Sequence, residues 1–295
     1  GQTCYICTQA LHWKTKEGLV RGCACRGTAG FAHVSCLAEQ AKILFAEALE
    51  NNLGGKVLSE RMGRWDTCSL CEQKYHGVVA CALGWACWKT YVGRPEGDWV
   101  RVAAMTAVGN GLHDADLYED ALSVKEAELS MRRRHSDSVE NMIVVQANLA
   151  NTYNAVGRLE LALSMRRDVY SGHVRLFGEE HENTFGAALN YANSLTCLER
   201  FEEAKALLRK MIPAARRVLG ESDEDTLRLR CIYARALYED PAATLDDLRE
   251  AMDTFEDAGR IARRVLGGSH PLVAQMQDDL RNARYVLRAR EAREN

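Results

Sequence analysis

The chain has 295 residues, enough for two domains or for one domain followed by an array, and long enough to bury a real core. Its 38 Lys and Arg are set against 41 Asp and Glu, a formal charge of -3 with both signs interspersed, which excludes a broad footprint for nucleic acid or an anionic membrane. The longest apolar run, Gly77 to Trp88, is about twelve residues where a bilayer crossing needs roughly 20, so no membrane partner is expected.

In chain order, Gly1 stands where an initiator Met is expected, as in a fragment, and no charged-then-apolar signal segment opens the sequence. A cytoplasmic or nuclear location follows as an expectation. The 11 cysteines then point to metal binding or reactive thiols instead of a disulfide framework. Read as pairs, the N-terminal region runs Cys4-x2-Cys7, Cys23-x-Cys25, His33-x2-Cys36 and Cys68-x2-Cys71. Structural zinc takes four Cys or His ligands in a tetrahedron, and a close pair supplies two of them from one tight turn. Four pairs therefore fit two structural zinc ions. Gly22, Gly27, Thr28 and Gly30 lie between the ligands, where a backbone bending around a metal needs positive φ or close approach. Few apolar residues surround these turns, so ligand binding is expected to supply the folding energy. His12 and His76 sit in no pair of the right spacing and are expected to be polar surface or core residues.

The order Cys, Cys, Cys, Cys, His, Cys, Cys, Cys, with Cys23-x-Cys25, then His33-x2-Cys36-Leu37, then the closing "CSLCEQKY", resembles the RING-CH (RING-variant) zinc finger of MARCH-type ubiquitin ligases. The resemblance implies a small zinc-braced RING-like α+β domain over residues 1–76. It also implies interleaved ligands, with Cys4, Cys7, His33 and Cys36 on one ion and Cys23, Cys25, Cys68 and Cys71 on the other; chain order alone does not show this crossing. It implies no catalytic residue, because both ions would be fully ligated by protein, and a ubiquitin-conjugating enzyme as partner, contacted by the apolar residue before the second ligand, Ile6. Where the family commonly has a Trp four residues after the sixth ligand, this chain has Gln40. A PHD finger shares the ligand order but usually has a shorter gap before its histidine; a histone-tail reader of that type would need an aromatic cage, to which Trp13 and Trp65 could contribute.

The spacer after Cys36 carries Leu37, Ala41, Leu44, Phe45, Ala48 and Leu49 at helical spacing, predicting a helical insertion over 37–50 that ends near Gly54-Gly55. Residues 77–98, beginning "GVVACALGWACWKTYVG", read as a buried joining helix and linker. Cys81 and Cys87 have no paired His or Asp beside them, so a thiol relay is not expected. Arg132, Arg133 and Arg134 read as a solvated helix face.

From about Trp99 the chain repeats itself. "NLANTYNAVGRLELALSMRRDV" and "NYANSLTCLERFEEAKALLRKM" superimpose at an offset of 42, as do "LFGEEHENT" and "VLGESDEDT". Small residues recur at Gly109, Ala150, Ala192 and Ala234, and at Ala121, Ala162, Ala204 and Ala251, with an insertion around "YEDPAATLDD" in the fourth copy. Small side chains at such points let paired helices approach closely. The pattern resembles the longer tetratricopeptide repeats of kinesin light chains, and implies an all-α helical repeat superhelix of four helix pairs over 99–292, capped by a terminal helix from about Pro271 to Ala292. Transferring the family's peptide-binding positions places Asn110, Asn151 and Asn193 at equivalent points, with Arg235 fourth. Asn amides can pair with both N–H and C=O of an extended peptide, while Arg228 and Arg235 would favour an acidic ligand. Asn148 and Asn190 are expected to satisfy interhelix backbone groups, and Cys197 and Cys231 to be small buried or groove-lining hydrophobes. The sequence thus reads as a RING-type E3 ubiquitin ligase whose repeats hold a protein substrate. The alternative is a non-catalytic, zinc-braced peptide-binding adaptor, which Gln40 favours and Ile6 opposes.

Overall fold

The computed structural model describes residues 1–135 and 137–294 and divides into two compact units, Gly1–Gly157 and Arg158–Asn295. In the first unit a turn-rich segment leads into α1 (Val34–Glu50), α2 (Gly55–Met62) and a 3-10 turn at Gly63–Trp65. Then follow α3 (Gly77–Tyr91), α4 (Trp99–Asp114), α5 (Tyr118–Arg134) and α6 (Val139–Ala155). Among the described residues, the β part of the expected α+β domain is reduced to two isolated antiparallel bridges, Val20 with Ala32 and Thr67 with Lys74. A ligand-bearing turn lies between the two residues of each bridge, and the 3-10 turn and α3 flank the second bridge closely, so neither extends into a ladder.

The α1 stripe buries Leu37, Ala41, Phe45 and Ala48, while Leu49 is exposed and Leu44 only half-buried, making the buried face narrower than its sequence suggested. Phe45 meets the edges of Tyr91 and Trp99 at ring separations of 5.7 and 5.8 Å, and Trp65 meets Tyr91 at 5.9 Å. One apolar cluster therefore joins α1, the 3-10 turn, α3 and α4. Helices α3 and α4 approach each other closely at two glycines. A Cβ on Gly84 would stand 2.6 Å from the Ala107 carbonyl oxygen, and one on Gly111 would stand 2.6 Å from that of Ala80. Helix α4 starts cleanly because Asp98 accepts from the Val100 N–H at 2.8 Å.

Arg132 departs from the expected solvated face. Its side chain is 12 % exposed and donates to Glu128 at 2.8 Å and to Asp137 at 2.6 Å. Burial of Glu128, with its side chain 2 % exposed, demands a partner, and the first arginine of the run supplies it; Arg133 and Arg134 remain outside.

The second unit holds α7 (Leu159–Phe177), α8 (Glu182–Cys197), α9 (Phe201–Val218), α10 (Glu224–Glu239), α11 (Leu245–Leu266) and α12 (Pro271–Glu294). Ala162, Ala192, Ala204, Ala234 and Ala251 are all buried at the helix contacts, as the repeat pattern requires. Helix α12 covers the last pair with Leu272, Val273, Met276, Ala283 and Leu287. The insertion between α10 and α11 is clipped from three sides. Arg290 donates to the Pro241 carbonyl at 2.7 Å. Thr244 and Asp247 form a reciprocal capping box, and Lys205 donates to Asp240 at 2.8 Å with both side chains largely buried.

That buried pair has a pH consequence. Burial works against the Asp240 carboxylate, but the Lys205 ammonium and the Ala242 N–H outweigh it and hold its pKa below the ordinary value. A depressed folded pKa means stability present above about pH 4 and lost as the pH falls through the lower folded value. Asp240→Asn should cost about 2 kcal/mol at pH 7 by leaving the buried Lys205 with only the exposed Glu202 carboxylate, 2.5 Å away, as its charged partner. It should also flatten the acid limb of the urea-unfolding profile of the second unit. An unchanged acid limb would show that the pair does not matter to stability.

Candidate zinc centres and peptide-facing residues

The structure gathers the four sequence pairs into two groups. Cys4, Cys7, His33 and Cys36 form one, and Cys23, Cys25, Cys68 and Cys71 the other, the ligand atoms in each lying within 4.8 Å of one another. The crossing that chain order left open is therefore the arrangement observed: the first pair joins the third, and the second joins the fourth. Tetrahedral sulfur ligands on zinc stand about 3.8 Å apart. Cys25 and Cys68 Sγ are 3.9 Å apart, and His33 Nδ1 lies 3.4 Å from Cys7 Sγ and 3.5 Å from Cys36 Sγ.

Local backbone geometry explains why these spacings work. Cys4 donates its N–H to the Gln9 carbonyl, Thr8 donates to the Cys4 carbonyl, and the Ile6 N–H points at Cys4 Sγ at 3.4 Å. Cys68 repeats every part of this turn, with Gln73, Glu72 and the Leu70 N–H at 3.4 Å from Cys68 Sγ. Thr8 and Glu72 both take positive φ, 63° and 57°, at the same place in the turn. The amide dipoles aimed at sulfur favour thiolate, the form that binds metal. Gly30 is required for a different reason. Its φ is 78°, and a Cβ there would stand 2.5 Å from the Cβ of Cys25, so any side chain displaces a ligand of the second group.

The donor set fits zinc on two further observations. His33 presents Nδ1 to the sulfurs while its Nε2 lies 3.4 Å from the Ala10 carbonyl oxygen, the outer hydrogen bond that orients a ligating imidazole. In addition, the thiols of each group cannot readily all ionise by themselves. Cys25 and Cys36 are pushed up to about 12, by burial first and then by the thiols beside them. Cys71 is drawn down to about 7, chiefly by the Gln73 N–H. A divalent cation supplies the missing compensation. The two clusters are thus suited to hold two zinc ions, and with four protein ligands on each the role is structural, leaving no position for an activated water.

Around these turns, Ile6 is half-buried against the zinc-bearing core. Leu70, its counterpart in the second turn, is 51 % exposed. Leu70 escaped the sequence reading, although its place two residues after a first ligand, like Ile6, was the available signal. Gln40 lies half-buried on α1. Trp65, offered above for an aromatic cage, is 2 % exposed and packed into the α1–α3–α4 cluster, so it cannot line one; Trp13 is exposed. His12 is buried, its Nδ1 2.8 Å from Thr15 Oγ1 and its ring 5.3 Å from that of His33. Cys87 is fully buried and its thiol pushed well up, by burial and then by Asp66; Cys81 is raised by burial and then by Asp120. Both shifts oppose thiolate formation, so neither cysteine is suited to a covalent relay.

The peptide-facing candidates are distributed over the two units. Asn110 lines a cleft of about 490 Å³ in the first unit, and Asn151 is exposed on α6. In the second unit Arg235 donates to Asn193 Oδ1, so these two residues are brought together and that oxygen is engaged. Arg228 is exposed and paired with Glu224. The backbone carbonyl of Asn148 accepts from Lys125 Nζ at 3.3 Å and that of Asn190 from Ser194 at 3.2 Å. Cys197 is exposed, contrary to a buried role, while Cys231 is buried beside Asp279.

A family model described as the RING-variant domain matches residues 4–50, and the tetratricopeptide repeat model matches residues 144–183 and 184–225. The first match stops short of Cys68 and Cys71, which the fold nonetheless brings to Cys23 and Cys25. Among solved structures the chain is similar to the kinesin-light-chain-type TPR-like repeats of Podosopora anserina. That likeness has 17 % identity and a TM-score of 0.54, covering 79 % of this chain and 97 % of that one. A variant of the same protein matches at 17 % identity and a TM-score of 0.55, covering 79 % and 98 %. These likenesses show the fold of the repeats. Comparison with curated proteins gave no match.

Proposed function

We propose that the protein is a RING-type E3 ubiquitin ligase in which the zinc-bearing region binds a ubiquitin-charged conjugating enzyme and the helical repeats hold a protein substrate. The observation that carries this reading is the interleaved pair of four-ligand clusters, completed by a cysteine pair outside the matched RING-variant segment. A ligase of this type needs no nucleophile of its own. It orients the thioester held by its partner and raises the local concentration of substrate lysine, which is a positioning effect. Ile6 and Leu70, each two residues into a zinc-binding turn, are the apolar contacts proposed for the conjugating enzyme. The cytosol or nucleus, where such partners are found, is part of the same proposal.

The test is discharge of ubiquitin from a panel of charged conjugating enzymes onto free lysine. The wild-type protein should accelerate it, and Ile6→Ala should lower the rate about tenfold, the scale for truncating one central apolar contact. Cys25→Ser should abolish it. One observation favours a second reading: Gln40 in place of the usual Trp leaves a polar residue in the contact region. A protein that holds two zinc ions per chain yet is inert with every conjugating enzyme would be a zinc-braced peptide adaptor.

A further inference from the structure

The cleft in the first unit has a chemistry of its own. It opens between the 3-10 turn and the Thr67–Lys74 bridge region on one side and α3 and α4 on the other, with the end of α5 and the segment after it closing one end. Its volume of about 490 Å³ falls in the range of ligand sites, roughly 300 to 1,000 Å³. Trp99, 48 % exposed, and Ala107 give it apolar wall.

The polar groups are unequal in what they have left to offer. Arg132 is fully engaged: Nη1 donates to Asp137, and Nε and Nη2 donate to Glu128, which also accepts from Thr106 at 2.6 Å. Lys74 is paired with Asp66 at 3.0 Å. Both cations of the lining are therefore committed to carboxylates. Asp114, by contrast, is exposed, and neither it nor the Asn110 amide, one helical turn before it on α4, makes a hydrogen bond or ion pair among the described residues, although the buried Lys125 ammonium and the His113 ring lie near enough to feel the Asp114 charge. The lining holds three carboxylates, Asp66, Asp114 and Asp137, against those two cations, with the buried Glu128 behind them. Each cation of the lining already has a carboxylate partner, whereas Asp114 has none in direct contact and feels only the buried Lys125 ammonium behind it, so the cleft favours an incoming cation over an anion. The carboxylates do not converge as the cysteines do, since among the described residues only the two cysteine clusters bring metal-ligating atoms together. The site suits an extended organic cation in place of a metal ion.

We propose that this cleft docks a Lys or Arg side chain of an extended peptide, with Asp114 taking the charge, the α4 surface at Ala107 the aliphatic stem, and the Asn110 amide a backbone N–H or C=O. The proposal deepens the ligase reading, from which it takes the identity of the occupant as a segment of the substrate. The site sits against the same turn region that carries Cys68 and Cys71, so a substrate held there is delivered beside the zinc-bearing module.

The test uses the full zinc-loaded chain, immobilised and exposed to a degenerate nine-residue peptide library, with sequencing of the bound fraction. Lys and Arg should be enriched over Asp and Glu at one position by about fivefold, the scale of one partly exposed ion pair, and less so in high salt. Asp114→Lys, a change at an exposed position, should invert that preference, and Asp114→Asn, which adds no second cation beside Lys125, should erase it. No charge preference in the wild type, enrichment of acidic residues, or a basic preference that persists in Asp114→Lys would each overturn the proposal. Peptide selection needs no conjugating enzyme. Selection without ubiquitin discharge would overturn the ligase reading alone, and discharge without selection would overturn the cleft alone.

Discussion

Cys68→Ser should empty both metal sites, although Cys68 belongs to only one of them. The two ligand groups do not have separate cores: Cys4 and Cys36 of the first and Cys23 and Cys68 of the second lie in a single apolar cluster with Ala32, Leu37, Tyr75, Val79 and Leu83. That cluster is small, and structural zinc in such settings contributes about 10 kcal/mol or more, comparable with the whole stability of a typical domain. Losing one ion therefore removes the folding free energy that keeps the other ligands assembled. Were the pairs used in chain order, Cys4, Cys7, Cys23 and Cys25 would form a self-contained site and the variant would keep one zinc per chain. The measurement is metal content after gel filtration by mass spectrometry. A content well below one per chain fits the interleaved arrangement, and a content of one would sink it. The second unit offers an internal control, because its main core lies wholly within it, so its unfolding transition should persist in the variant. Acidification should reproduce the loss in the wild type, since each thiolate must be protonated to leave the metal.

What the sequence made legible was whatever depends on local spacing or on repetition. The paired ligands could be read because a metal-binding turn is only a few residues long, and the second ligand must follow the first at a fixed offset. The helix pairs could be read because the period of 42 recurs, even though the repeat family model reaches only residues 144–225. Contacts with no periodic counterpart stayed hidden. Trp65 stands among polar neighbours in the chain and looks exposed, yet three elements distant in sequence close over it. Arg132 looks like the first member of a surface run until Glu128, one turn earlier, is seen to be buried and in need of a cation. Leu49 continues the α1 stripe by spacing but lies beyond the neighbours that cover the rest of it. Gly84 and Gly111 were the least legible, because a glycine within an apolar helix looks like a weak helix former until the helix facing it is known.

Those two glycines carry the last expected result. On helix propensity alone, Gly84→Ala and Gly111→Ala should each stabilise the protein by about 1 kcal/mol. The structure predicts the opposite. The added methyl at 84 would meet the Ala107 carbonyl oxygen at 2.6 Å and the Val108 Cα at 3.1 Å. At 111 it would meet the Ala80 oxygen at 2.6 Å and the Cys81 Cα at 2.8 Å. These are backbone atoms of a packed helix and cannot turn aside as a side chain would, so the helices must separate. Overpacking of this kind costs about 1–3 kcal/mol and here also loosens the clusters on both sides of α3, where Leu83 and Cys87 are fully buried. Each single variant should lose about 2 kcal/mol in the urea transition of the first unit. The double variant should lose less than the sum, because the first separation accommodates the second methyl. Val79 and Leu83 of α3 also pack in the zinc-bearing core, so the double variant should surrender zinc to a chelator faster than wild type. Gly186 on α8 provides the contrast, since nothing lies within 4 Å of the position of its missing Cβ. There the propensity term acts unopposed, and Gly186→Ala should stabilise the second unit by about 1 kcal/mol. If Gly84→Ala and Gly111→Ala instead stabilised the first unit, as Gly186→Ala should the second, the close approach of α3 and α4 would not be what keeps those two helices packed.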